Sequence, residues 1–279
     1  MQVWKKAILG AVACLGSLGA LADYRFSFPT PVTPIAHETL HVHNLFMVIA
    51  LTLFFGVLAL MLYSFWRHRK SAGHKAADFT GPKSRKQWFW VLVPFVGLLV
   101  LDYGVFGIPA YHAVLMYEDT KTDADLVVKV TGSQWLWQYE FPAEGVKFSS
   151  RLTTPREQID NLQTKGENYL LEVDNPLVLP VGKKIRFITT SNDVIHSWWV
   201  PAFGVKRDAV PGFLREFWAT IDKPGTYRGQ CSELCGKEHG FMPVVVNVVT
   251  PEEFAQWLAD KKAQQASTGA AAVVAKAAP

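Results

Sequence analysis

Gln134-Trp135-Leu136-Trp137-Gln138-Tyr139-Glu140-Phe141 alternates polar and aromatic or aliphatic side chains. Successive side chains of an extended strand point to opposite faces, so this spacing puts Trp135, Trp137, Tyr139 and Phe141 on one face. Working outward, residues 126–130, 169–173, 184–190, 217–221 and 244–249 read as further strands. Asp174-Asn175-Pro176, Pro180-Val181-Gly182 and Lys223-Pro224-Gly225 supply turns between some of them. Nothing between residues 125 and 250 has the pattern of a long helix, which predicts an all-β Greek-key sandwich or barrel. Thr250-Pro251-Glu252-Glu253 is a capping box with proline at the first helical position, predicting a short helix over 251–262. The Ala-, Gln- and Ser-rich stretch 263–279 reads as a disordered tail.

The half before this domain is different in kind. Residues 44–66 are almost uninterruptedly apolar, long enough to cross a hydrocarbon core of about 30 Å as a helix. Residues 87–111 form a second span, with Trp88 and Trp90 at one end and Tyr111 at the other as interfacial aromatics. The loop 67–86 between them carries Arg67, Arg69, Lys70, Lys75, Lys83, Arg85 and Lys86 against one acid, Asp78. That excess places the loop in the cytoplasm and both termini on the exported side. Residues 1–22 read as a signal peptide, with Lys5 and Lys6 before an apolar run and Ala20-Leu21-Ala22 as the cleavage site. Lipidation at Cys14 is the competing reading. An exported segment, 23–43, follows, and its His37, His41 and His43 suit interfacial or subunit contacts better than a metal.

The formal net charge of +4 does not mark a nucleic-acid partner, because it belongs to the loop and the signal. From residue 113 to 262 there are 17 Lys and Arg against 20 Asp and Glu, so the exported domain is mildly acidic. A soluble partner arriving there is expected to be cationic.

The chemistry is concentrated in Cys231-Ser232-Glu233-Leu234-Cys235-Gly236-Lys237-Glu238-His239-Gly240-Phe241-Met242. Two thiolates, an imidazole and a thioether form a soft ligand set suited to copper. Cys235, His239 and Met242 have the donors of a mononuclear blue-copper loop, and Cys231 adds a second thiolate that allows a bridged pair of ions. A Cys231–Cys235 disulfide is open too. So is zinc, although structural zinc prefers closer cysteine pairs and does not use methionine. No Cys-x-x-Cys-His signature of covalent haem occurs. His196, in Val194-Ile195-His196-Ser197-Trp198-Trp199, offers a further imidazole at a strand end.

Residues 231–242, together with Ser191-Asn192-Asp193-Val194-Ile195-His196-Ser197-Trp198 and Gly132-Ser133-Gln134-Trp135-Leu136-Trp137-Gln138-Tyr139-Glu140, closely resemble subunit 2 of haem–copper cytochrome c oxidases. Hairpin, β domain and ligand loop follow in the same order over nearly the whole mature chain. The resemblance implies a cupredoxin-like Greek-key barrel (residues 112–250) carried in the periplasm by a hairpin in the bacterial inner membrane. It implies a dinuclear copper centre, CuA, on His196, Cys231, the backbone carbonyl of Glu233, Cys235, His239 and Met242. The Glu233 side chain would hold a magnesium or manganese ion shared with subunit 1, and the chain itself would carry no haem. Trp135 matches the tryptophan that receives the electron from cytochrome c. Subunits 1 and 3 would be partners in a proton-translocating oxidase that reduces oxygen to water.

Glu140, Glu157, Asp174 and Asp193 are candidate acids for docking a basic cytochrome. Two features depart from the resemblance or exceed it. The glutamate that the family places near the cytoplasmic end of the second span falls on Gln87, which puts its proton-uptake role in doubt. Asp102 lies inside the same span, where a carboxylate normally marks a function or a pairing partner. A thioredoxin-like copper-delivery protein would have a single span, an αβ pattern and no methionine after the histidine. Nitrous oxide reductase, which carries a similar copper domain, would need a propeller that 279 residues cannot hold.

Overall fold

The computed structural model describes residues 27–75, 81–120 and 122–277, the last with side chains to residue 267. The expected signal peptide and Cys14 lie outside the described residues. Two long helices come first, α1 (Pro34–Arg67) and α2 (Arg85–Glu118). Both are long and apolar enough to cross a membrane, and no residue of their apolar windows is buried. They run past the expected spans, so residues 34–43 of the expected N-terminal segment are helical. The local signals explain this: Thr33 caps the Ala36 N–H at 3.0 Å and Pro34 occupies the first turn.

Helix α2 opens on a capping box in which the Gln87 N–H donates to Ser84 Oγ at 3.3 Å. Gln87 Oε1 in turn accepts from the Lys83 and Ser84 N–H groups at 2.7 and 3.0 Å. Glutamine performs this task as well as glutamate does, without a titratable proton. Midway, the segment Val100–Phe106 is wound as a π-helix.

Ten strands among the described residues build the β domain. They are β1 (Leu126–Ser133), β2 (Leu136–Phe141), β3 (Val146–Ser150), β4 (Leu177–Pro180), β5 (Lys184–Ser191), β6 (His196–Val200), β7 (Val205–Ala209), β8 (Arg215–Thr220), β9 (Gly225–Cys231) and β10 (Pro243–Val249). One sheet has the order β3-β2-β1-β5-β8 and the other β4-β10-β9-β6-β7. Pairing is antiparallel except for β1 with β5 and β4 with β10. Trp137, Tyr139, Phe141, Phe187, Trp198 and Phe217 are fully buried in the common core, where Phe187 stacks on Phe217 at 4.6 Å.

Three expectations need correction. Residues 169–173 form no strand, because Leu170 takes a left-handed φ of +61° that breaks the extension; only Val173 bridges, to Leu152. Trp135 is not on the strand with Trp137 but in the β1–β2 turn. The final helix, α4 (Pro251–Ala277), continues through the stretch read as a disordered tail. Alanine is the best helix former, and that stretch is rich in it. A short helix, α3 (Arg156–Ile159), lies between β3 and β4.

The membrane helices are fastened to the domain. Thr33 Oγ1 is fully buried and donates to the Phe203 carbonyl at 2.7 Å. Gly204 has φ +67°, and a Cβ there would sit 2.6 Å from Ala36 Cα, so only glycine lets α1 approach this closely. At the end of α2, the Trp218 indole N–H donates to the Met116 carbonyl at 2.7 Å.

Candidate metal centre

Strand β9 ends at Cys231 and β10 begins at Pro243, so residues 232–242 form the connection between two paired strands. Its mouth is closed by the Cys231 N–H donating to the Met242 carbonyl at 3.2 Å, and the Trp137 indole N–H reaches the same oxygen at 3.3 Å. Within the loop, Gly236 at φ +119° makes the turn, and His239–Phe241 forms a single tight helical turn. Strand β6 brings His196 to the same end, beside β9.

The loop folds its donors inward. Cys231 Sγ and Cys235 Sγ are 3.9 Å apart and carry no disulfide. Each has its own imidazole: His196 Nδ1 is 4.0 Å from Cys231 Sγ, and His239 Nδ1 is 3.5 Å from Cys235 Sγ. Met242 Sδ lies 3.5 Å from Cys235 Sγ, and the Glu233 carbonyl oxygen lies 3.4 Å from Cys231 Sγ. His196, both cysteines and Met242 are at most 3% exposed. The donor atoms of His196, Cys231 and Cys235 all fall within 4.8 Å of one another.

These donors fit a metal. With metal–thiolate bonds of about 2.3 Å, as zinc makes, one ion bridges sulfurs up to about 4.6 Å apart. The observed 3.9 Å separation is within that reach. A thioether in the same cluster favours a soft ion such as copper over zinc. Burial raises the Cys231 pKa, but the bonds to His196 and the nearby backbone groups outweigh it and bring it down. Burial and then the Cys231 charge push Cys235 up to about 12.

Asp193, first read as a docking acid, is committed to the centre. Its Oδ1 is 2.8 Å from His196 Nε2, which leaves Nδ1 facing the sulfur. Oδ2 accepts the Gln134 N–H at 2.7 Å, and Oδ1 the Val194 N–H at 2.7 Å. Burial works against the Asp193 carboxylate, but these bonds prevail and hold it below the usual range. Burial likewise opposes a proton on His196, yet Cys231 and Asp193 raise its pKa. The sequence signal was the carboxylate three residues before the imidazole. Gly132 was missed: a Cβ there would lie 2.7 Å from His196 Cδ2, so the glycine makes room for the ring.

Gln134 ties the β1–β2 turn to the loop, its Nε2 donating to the Cys235 carbonyl at 2.8 Å. The neighbouring Trp135 ring lies against Gly236, where a Cβ would approach Cζ2 to 3.2 Å. Trp135 is therefore one residue from a cysteine of the cluster, and half-buried. The other acids do not assemble with Asp193. Asp174 Oδ1 is used by the Arg151 and Asn175 N–H groups, both at 2.7 Å. Glu140 lies between Lys129 and Lys147 across the sheet. Glu157 is exposed on α3, whose Arg156 pairs with Glu238 of the loop at 3.3 Å. The Glu233 side chain is exposed. His37 comes no closer than 3.9 Å to Asp222.

Residues 126–249 match the family described as cytochrome c oxidase subunit II, periplasmic domain, and residues 22–108 match the transmembrane domain of subunit II. Cytochrome c oxidase subunit 2 of Cereibacter sphaeroides is 37% identical over 244 residues, spanning 83% of this chain and 78% of the relative. The chain belongs to the cytochrome c oxidase subunit II family. A probable cytochrome c oxidase subunit 2 of Rickettsia prowazekii (strain Madrid E) is 34% identical over 266 residues, 94% of this chain and 81% of the relative. The crystal structure of the periplasmic domain of subunit II from Bradyrhizobium japonicum is 45% identical, covering 50% of this chain and 96% of its own, with a TM-score of 0.46. As a subunit II family member the chain is a subunit of an oxidase, with two membrane helices and a cupredoxin-like β domain.

Proposed function

We propose that this chain is the electron-accepting subunit of a cytochrome c oxidase, taking single electrons from cytochrome c at a dinuclear CuA centre and passing them to haem in subunit 1, where oxygen is reduced to water. The observation that carries this reading is the pair of buried sulfurs 3.9 Å apart, each with its own imidazole nitrogen. When bound, a pair of copper ions would supply a one-electron acceptor.

The residues that would hold it are His196, Cys231, the Glu233 carbonyl, Cys235, His239 and Met242. Their task is to stay still. The loop is closed by the bonds of Met242 O, and Asp193 and Gly132 set the His196 ring, so the ligands need not rearrange when an electron arrives. Trp135, against Gly236 and one residue from Cys235, would be the aromatic contact presented to the electron donor. The exposed Glu233 carboxylate, back to back with its inward carbonyl, suits a magnesium or manganese ion completed by subunit 1. The arrangement belongs in the bacterial inner membrane with subunits 1 and 3, the β domain in the periplasm and the loop 67–86 in the cytoplasm.

Electron paramagnetic resonance of the copper-loaded, partly oxidised chain tests the proposal. Two coppers per chain with a delocalised mixed-valence spectrum support it. One copper with the four-line pattern of a localised ion would refute it.

A further inference from the structure

Asp102 lies fifteen residues beyond Gln87 and nine before Tyr111. At 1.5 Å per residue it is roughly 22 Å along the span from the basic loop and about 13 Å from the tyrosine. That is inside a hydrocarbon layer of about 30 Å. A carboxylate at such a depth is costly and is normally turned toward protein, where it finds a partner.

Helix α1 does not supply one. The two helices meet at Phe46 and Phe106, whose rings are 5.7 Å apart, and residues 45–51 of α1 carry no hydrogen-bonding side chain. Leu101, Val105 and Phe106 are half-buried, whereas Asp102, Tyr103 and Gly104 are exposed. The backbone is also shaped at this residue. Asp102 lies in the π segment, and a Cβ on Gly107 would sit 2.7 Å from the Asp102 carbonyl oxygen. Glycine five residues on permits the wide turn, and such turns re-aim a side chain at functional sites.

We infer that Asp102 is an intramembrane docking point, its carboxyl hydrogen-bonded to a donor or cationic side chain on a transmembrane helix of another subunit of the oxidase. Lipid acyl chains offer no donor. As a subunit of an oxidase, the chain has other subunits as neighbours.

The test uses the assembled oxidase, captured through an affinity tag on another membrane subunit. Asp102→Leu should lower the amount of this chain retained through a detergent wash several-fold. Asp102→Asn, which still hydrogen-bonds, should hold most of it. Retention of Asp102→Leu at the wild-type level overturns the inference. Should Asp102→Leu not accumulate in the membrane, a benzophenone-bearing amino acid at position 102 gives the reading instead. Crosslinking to another subunit upholds the docking point, and crosslinking to lipid alone overturns it.

Discussion

At the scale of single residues, the proposed centre separates into atoms that would bind the metal and atoms that hold those donors in place. Met242 would belong to the first set as its weakest donor, so Met242→Leu should keep copper while shifting its potential and absorption spectrum. Loss of copper from a folded domain would show that the thioether matters more than its softness suggests. Asp193 belongs to the second set. Outer-shell partners of metal-bound histidines are worth ~10–100-fold in affinity, so Asp193→Ala should weaken copper binding by about that factor in a chelator competition. An unchanged affinity would leave the bond from Asp193 to His196 without energetic weight. The two tryptophans also divide. Trp135→Ala should slow electron transfer from cytochrome c far more than it weakens cytochrome binding, read by stopped flow. Trp137→Ala removes a fully buried ring and should act through stability, by ~3–5 kcal/mol. Sequence showed the donors because metal chemistry leaves few residue types to choose from. It did not show that Asp193 holds His196 or that Gly132 makes room for it, since both roles depend on how β1 meets the turn before β6.

Among the elements, β6 joins the two ends of the domain. His196 begins it at the metal centre, and it leads into the Pro201–Phe203 turn, whose Phe203 carbonyl receives the buried Thr33 hydroxyl. Thr33→Ala removes both the cap of α1 and that bond, so it should cost about 1–3 kcal/mol. Thermal unfolding of the β domain in the full-length chain measures this, and the copper spectrum should not change. A shifted spectrum would mean that the membrane end controls the metal end. Strands with dense β-branched or alternating aromatic residues, such as β1, β2, β5 and β10, were readable in advance. Two of those that were not, β7 and β9, have reasons. Strand β7 is Val205-Lys206-Arg207-Asp208-Ala209, three charges in five residues, and pairing with β6 holds it extended. Strand β9 carries Gly225 and Gly229, poor strand residues. At Gly229 a Cβ would fall only 1.9 Å from the Trp199 carbonyl oxygen, so close strand packing demands the glycine that weakens the sequence signal.

For the whole molecule, charge is segregated along the chain: basic residues in the loop 67–86, and a net excess of three acids between residues 113 and 262. Opposite charges steer encounter at low salt and are screened over ~8–10 Å near physiological ionic strength. The rate constant for oxidation of a basic cytochrome c should therefore fall steeply as salt is added. Sequence alone weighted four acids equally, but their surroundings do not. Glu140 is flanked by Lys129 and Lys147, and Asp193 cannot be neutralised without disturbing His196. Asp174 holds two backbone N–H groups, so its removal would loosen the fold. Glu157 is exposed and in no ion pair among the described residues, while its neighbour Arg156 is already matched by Glu238 of the ligand loop. Glu157→Gln should flatten the salt dependence while leaving the copper spectrum intact, and Glu140→Gln should change it little. Stopped-flow traces at several salt concentrations give the answer. A rate indifferent to salt would make all of these acids solvated surface, and an equal flattening by both variants would mean that only the net charge of the domain steers the donor.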